Sequence, residues 1–320
     1  MPERLRIGTR QSPLALKQTE LVMEALHKTH PDMEVEVVTI STSGDENQTG
    51  SLADLGGKAL FAKEIETALL DEHIDIAVHS MKDMETNLPN GLTIAAVLKR
   101  EDPRDVLIID KKSVLSEPSE DAKPLDMLDD SATVATCSPR REAAIRHMRP
   151  DIHIIPMRGN LASRLQKLAE NEADATLLAY AGIKRLGLEA EIKERFMMQP
   201  FATEQMLPAA SQGAIGVECR IDDGHIMALL STINHAETFT AIATERRVLD
   251  KLNGSCRTAI GVYAHSDNEK LTIDATLYAP DGSTILTDSA TGDAINAEAM
   301  ADDIAETLLK EGEAFIKGVA

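Results

Sequence analysis

Aromatic side chains are nearly missing from this chain of 320 residues, which has no tryptophan, three tyrosines and five phenylalanines. That leaves little material for the stacking platforms that hold single-stranded nucleic acid, or for an interface built on aromatic anchors. Positive charge is also in deficit: 33 Lys and Arg stand against 53 Asp and Glu, a formal net charge of -20. Such a chain repels a polyanion at long range, so no nucleic-acid partner is expected. Cysteine is limited to Cys137, Cys219 and Cys256. They are odd in number and widely spaced, with no CxxC pair, which argues against a disulfide framework or a thiolate zinc site and for a reducing compartment. No metal is expected. Long apolar runs are absent, and MPERLRIGTRQSPLAL carries charges where a signal peptide needs an apolar core. The expectation is a cytoplasmic protein without membrane association.

The 43% apolar share is ample for packed cores, and the length suggests two or three domains. Leu5 to Ile7 read as a strand, and Ser12-Pro13 supply an N-cap and a proline for a helix carrying Leu14, Leu21, Val22, Ala25 and Leu26. Val35 to Ile40 form the next strand. A glycine-containing loop from Ser43 to Lys58 leads into the helix FAKEIETALLDE, and Ile74 to Val78 read as a buried strand. After the turn Glu101 to Arg104 the rhythm repeats: strand DVLII, a polar stretch over 110–130 read as solvated loop and helix, strand TVAT, a helix from Pro139, strand IHIIP, a helix from Leu161, and strand ATLLA. Strands alternating with helices imply parallel or mixed sheets. From about residue 235 the pattern changes to a helix, three strand-like runs within 258–289 and a C-terminal helix with Ile304, Leu308 and Phe315. The fold class expected is α/β, two lobes followed by a small α+β unit.

Three segments set arginine beside a helix start that follows a strand: Arg10 with Ser12, Arg140 and Arg141 after Ser138, and Arg158 with Gly159 and Asn160. Free backbone N–H groups, the helix dipole and guanidinium forks together attract anions, and in open α/β sheets such sites lie at the carboxyl ends of the strands. One such segment is usually a solvated surface. Three in a strongly acidic chain point to a polycarboxylate or phosphate ligand. His79-Ser80-Met81-Lys82-Asp83 directly follows a buried strand and projects into the same region; the carboxyl group of Asp83 can protonate a leaving amine and, as the carboxylate, stabilise the cation left behind. An isolated Lys-Asp pair is more often a turn cap, and local sequence leaves both readings open. Cys256 sits in a Gly254-containing turn beside Arg257, where a thiol can be exposed as its thiolate; a buried small hydrophobe is the plainer reading.

Taken together, IGTRQSPLAL, GGKALFAKEIE, DIAVHSMKDM, REDPRD, SPRREA, RGNLASRL, LAYAGIKRLGL, QGAIGVECR and NGSCRTAIGVYA resemble the signature stretches of the porphobilinogen deaminase family, in its order and over nearly the whole chain. The resemblance implies three domains: 1-99 with 204-231, then 104-200, then 235-320. The first two would be similar to type II periplasmic-binding-protein lobes with mixed sheets and a cleft between them, the third a small α+β domain. It implies a monomeric transferase of tetrapyrrole synthesis that condenses four porphobilinogen molecules into hydroxymethylbilane on a dipyrromethane primer. By the same resemblance Cys256 holds that cofactor through a thioether, and Asp83 is the catalytic carboxylate. Lys82, Ser12, Arg140, Arg141, Ser138, Arg164 and Arg185 would bind the cofactor, and Arg10, Arg158, Phe61 and Lys58 the substrate. Pyrroles bearing two carboxylates suit arginine, which is always charged and binds in a fork. The chain departs from the family pattern at Pro139, Ala59, Ser255 and Cys137, the last a candidate oxidation-sensitive thiol. Two other classes fit parts of the sequence. A ligand-binding module would need neither Asp83 nor Cys256, and a thiol hydrolase would pair Cys256 with His79 or His265.

Overall fold

The computed structural model describes residues 4–43, 62–115, 123–254, 258–267 and 270–317. Within them the chain divides into two compact units, 1–101 with 213–240, and 102–212 with 241–320.

In the first unit, strands β1 (Arg4–Arg10), β2 (Glu34–Ile40), β3 (Ile76–Ser80), β4 (Leu92–Val97) and β10 (Ile215–Arg220) form a five-stranded sheet in the order β2-β1-β3-β10-β4. β1 runs parallel to β2 and β3, while β10 is antiparallel to both its neighbours. Side chains alternate between faces along each strand. Leu5, Ile7, Ile76, Val78, Ile215 and Val217 pack with Val22 and Leu26 of helix α1 (Pro13–Thr29) and with Ile226 and Leu230 of a helix over Gly224–Ser231. On the other face Ala77 and Ile74 pack with Ile65 and Leu69 of α2 (Lys63–Leu70). Arg6 fixes the start of β3 by a two-pronged pair with Asp75, at 2.6 and 3.1 Å.

The second unit repeats the plan. β5 (Asp105–Asp110), β6 (Thr133–Ala135), β7 (His153–Ile155), β8 (Ala175–Ala179) and β9 (Phe196–Pro200) lie in the order β7-β6-β8-β5-β9, with β6 parallel to β7 and β8. Helices α3 (Pro139–Met148), α4 (Leu161–Ala169) and α5 (Tyr180–Leu186) follow β6, β7 and β8, and α6 (Glu189–Arg195) lies between α5 and β9. The same unit holds a three-stranded antiparallel sheet, β11 (Ile260–Asp267), β12 (Lys270–Tyr278) and β13 (Ile285–Asp293). Ala241 and Val248 of a helix over Ala236–Lys251, Leu252 in the turn just after it, and Ala301, Ile304 and Leu308 of the C-terminal helix over Ala297–Lys317, cover it. Two mixed five-stranded sheets with flanking helices, and a smaller sheet with helices, make the α/β class expected from the sequence.

Three expectations need correction. The strand expected to end at Val78 runs on to Ser80, because β10 pairs with it as far as Ser80↔Ile215. His79 and Ser80 are therefore strand residues, and only Met81–Asp83 form the turn. The polar stretch 110–130 is not solvated throughout. Its described part has short 3₁₀ turns, and Leu125, Met127 and Leu128 enter the core beside Val134 and Ile145. The strands of the last sheet continue to Asp293, beyond the expected limit of residue 289.

Candidate active site

Strand direction gathers the candidate residues. In the first sheet β1, β2 and β3 point the same way, so Arg10, Ser12 and the 81–83 turn all leave one edge. Ser12 caps α1, its Oγ accepting from Ala15 N at 3.3 Å. Ser80 Oγ lies 2.8 Å from Gln18 Nε2 and 3.0 Å from its Oε1, tying the end of β3 to α1. The turn is seated from below by Met81, which is buried and whose N–H donates to Ala214 O at 3.1 Å. Gly216 makes room for it: a Cβ there would lie 2.0 Å from Met81 Sδ. With Met81 locked inward, Asp83 is exposed and lines a cleft of about 70 Å³ with Arg10, Ser12, Gln18, His79 and Ser80. Lys82, next to it, is half-buried.

In the second sheet, parallel β6, β7 and β8 deliver Ser138 with Arg140 and Arg141, Arg158 with Arg164, and Arg185 from one edge. Ser138 Oγ caps α3 by accepting from Arg141 N, and Asn160 Oδ1 caps α4 by accepting from Ser163 N at 2.9 Å. Pro139 occupies the first position of α3, where its missing N–H costs nothing. Gly159 has φ +124, and a Cβ on it would lie 2.1 Å from Ser163 Oγ. Arg164 Nε donates to the Gly159 carbonyl at 2.9 Å, closing the 158–164 segment on itself. Arg158, Arg164 and Arg185 are half-buried.

Arg140 and Arg141 are nearly enclosed, at 3% and 6% exposure, and share one carboxylate. Arg141 donates to Asp105 Oδ1 from Nε at 3.1 Å and Nη2 at 2.7 Å, and to the Leu177 carbonyl at 2.8 Å. Arg140 Nη2 sits 2.7 Å from Asp105 Oδ2, off hydrogen-bond alignment, and its Nη1 donates to the Leu207 carbonyl at 2.8 Å. Burial alone would raise the Asp105 carboxyl; Arg140, Arg141 and Gln212 more than offset it and hold the group well below the usual carboxylate range. Two guanidiniums on one carboxylate leave one positive charge in excess, and Arg140 Nε finds no acceptor among the described residues. This donor set, beside a capped helix N-terminus in a strongly acidic chain, fits a group that carries carboxylates.

Asp105 has no role in the sequence reading, although it lies within REDPRD. A charged residue opening an otherwise apolar strand, DVLII, was the available signal. Gln18 and Glu218 were also passed over. Cys256, Lys58 and Phe61 lie outside the described residues, as do Ala59 and Ser255. The chain on either side of Cys256 is described: Gly254 N donates to Leu249 O, and Ala259 packs in the core that holds Val134, Ile145 and Tyr278, next to α3. Cys219 is buried against Met227, and burial pushes its thiol up to about 11; Cys137 is half-buried. Among the described residues no group of three or more His, Cys, Asp or Glu is placed to hold a metal ion, and no helix is long and apolar enough to cross a membrane.

Among solved structures the chain is similar to the periplasmic VFT2 domain of Bordetella pertussis BvgS, at 13% identity and TM-score 0.44, over 72% of this chain and 86% of that one. It is also similar to the extracellular-binding protein ytmK of a probable Bacillus subtilis amino-acid ABC transporter, at 11% identity and TM-score 0.41, over 72% and 89%. Residues 5–228 match the dipyromethane cofactor binding domain of porphobilinogen deaminase, and residues 239–310 match its C-terminal domain. With both domains matched in order across most of its length, the chain belongs to the porphobilinogen deaminase family and carries that family's dipyromethane cofactor binding domain.

Proposed function

We propose that this chain is a cytoplasmic hydroxymethylbilane synthase. It joins four porphobilinogen molecules head to tail, releasing four ammonia molecules and consuming one water. The observation that carries the reading is Asp83, an exposed carboxylate on a rigidly seated turn, lining one cleft with Arg10 and Ser12 in a chain that matches the family over residues 5–228.

When bound, the dipyrromethane supplies a nucleophilic pyrrole carbon on which the chain grows. Cys256 is assigned as its attachment point and Ser138, Arg140, Arg141, Arg164, Arg185, Lys82 and Ser12 as its holders, the guanidiniums pairing with acetate and propionate groups. Arg10 and Arg158, with Lys58 and Phe61, are assigned to the incoming substrate. Asp83 hands a proton to the departing amine and, as carboxylate, faces the pyrrole N–H of the cation that remains, where charge develops in the transition state. Ser80, held by Gln18, and Met81, held under Gly216, keep that carboxylate in place, so little of its alignment is lost at each turn of the reaction.

The test is turnover: purified protein given porphobilinogen should release ammonia and form hydroxymethylbilane, and Asp83→Ala should not. A protein that binds porphobilinogen without consuming it would move the reading to a binding module, which requires no Asp83.

A further inference from the structure

Behind the wall of the Asp83 cleft lies a buried acid–base group that the proposed chemistry does not use. His79 and Glu218 are diagonal neighbours on adjacent strands, since Ala77 pairs with Glu218 and His79 with Gly216. His79 Nε2 and Glu218 Oε2 are 3.0 Å apart, with side chains 5% and 0% exposed. The direction of this hydrogen bond follows the histidine tautomer. The other oxygen, Glu218 Oε1, is buried without a partner among the described residues. Glu66, on α2 over the same face of the sheet, is 5% exposed. Burial first and Glu218 second push its carboxyl up to about 7, with His79 opposing. His79 also lines the cleft with Arg10, Ser12 and Asp83.

Among the described residues, other charged groups stand on α2, on the sheet and beyond the turn. Glu85, beyond the 81–83 turn, adds to the repulsion on Glu66. From β1, Arg6 is committed to Asp75, and Arg10 stands at the cleft; Arg4 is near Glu36 of β2. From β10, Arg220 donates to the carbonyls of Leu69 and Ile74 and pairs with Asp223. β4 brings no ionisable residue to this face. On α2 itself Glu64 is bound to Ser43, and Lys63, three residues before Glu66, is exposed.

We propose that Glu66, Glu218 and His79 form a positioning unit behind the cleft: while the unit holds its full complement of protons the cleft accepts a carboxylate-bearing ligand, and loss of one proton weakens that binding. The physical reason is charge. Deprotonation puts a second negative charge behind His79, in a site shielded from water, where it opposes both a ligand carboxylate at Arg10 and Ser12 and the charge of Asp83. Glu66 and Glu218 do not line the cleft; they act through His79, which does, and through the β3 turn. The proposal rests on porphobilinogen as the ligand.

Two measurements decide it. In protein without substrate, the infrared band of a protonated carboxylic acid should be present at pH 6, disappear with a midpoint near 7, and be missing in Glu66→Gln. In turnover, KM for porphobilinogen should rise about five-fold or more from pH 6 to pH 8.5 while kcat changes less. Glu66→Gln, which mimics the protonated acid, should hold its pH 6 KM across that range. Glu218→Gln should lower the midpoint of the band, because the main repulsive neighbour of Glu66 is gone. Absence of the band at pH 6, or a KM profile in Glu66→Gln that still rises like the parent protein, overturns the unit's role. If the protein does not consume porphobilinogen at all, the functional reading fails, and the infrared titration still decides whether the buried proton exists.

Discussion

One carboxylate, Asp105, carries two guanidiniums: Arg141 Nη2 on Oδ1 and Arg140 Nη2 on Oδ2, each at 2.7 Å. All three side chains are nearly or wholly excluded from solvent, so the arginines depend on this acid for charge balance. Asp105→Ala leaves two buried cations without their partner, and the expected loss is about 3–5 kcal/mol of folding stability, measured by denaturant titration. A variant within 1 kcal/mol of the parent would mean that the pair is not desolvated as it stands here.

The same acid sets a pH dependence. Its folded carboxyl lies below its unfolded value, so its contribution is present above the unfolded range near 4 and is lost as pH falls through the folded value. Stability should therefore decline below about pH 4, and the acid limb should flatten in Asp105→Asn, read from thermal midpoints between pH 5 and pH 2.

Asp83 is exposed, and the turn is seated by Met81 rather than by its own side chain. Asp83→Ala should leave the thermal midpoint nearly unchanged while turnover falls by about 10²-fold or more. A large loss of stability would place Asp83 in the fold instead of the chemistry.

Gly159→Ala tests the 158–164 segment. A methyl group must be placed at φ +124 and 2.1 Å from Ser163 Oγ, so Ser163 or the backbone beside the Arg164–Gly159 contact has to shift. The expected result is a loss of about 1–3 kcal/mol, together with a weakened hold on a carboxylate-bearing ligand, read as a raised KM and reduced cofactor occupancy.

Much of this was legible from local signals. Ser12, Ser138 and Asn160 announce the starts of α1, α3 and α4 because a helix leaves N–H groups that such side chains satisfy. The gathering of arginines at strand ends followed from the alternation of strand and helix. What stayed hidden depends on residues far apart in sequence. β3 reaches Ser80 only because β10, more than a hundred residues later, pairs with it, and that pairing is what brings Glu218 to His79. Asp105 is silent until Arg140 and Arg141 fold onto it. Leu125 and Met127 looked solvated among acids and prolines, yet Val134 and Ile145 from β6 and α3 cover them.

Whether the chain carries a covalent primer is read from the intact mass of purified protein, followed by fragmentation of the peptide that carries Cys256. The expected result is an added mass equal to two porphobilinogen-derived pyrrole units on that cysteine, appearing after incubation with porphobilinogen if the sample starts unmodified, and absent in Cys256→Ala. An unmodified Cys256 in protein that turns porphobilinogen over, or an active and cofactor-free Cys256→Ala, would contradict it.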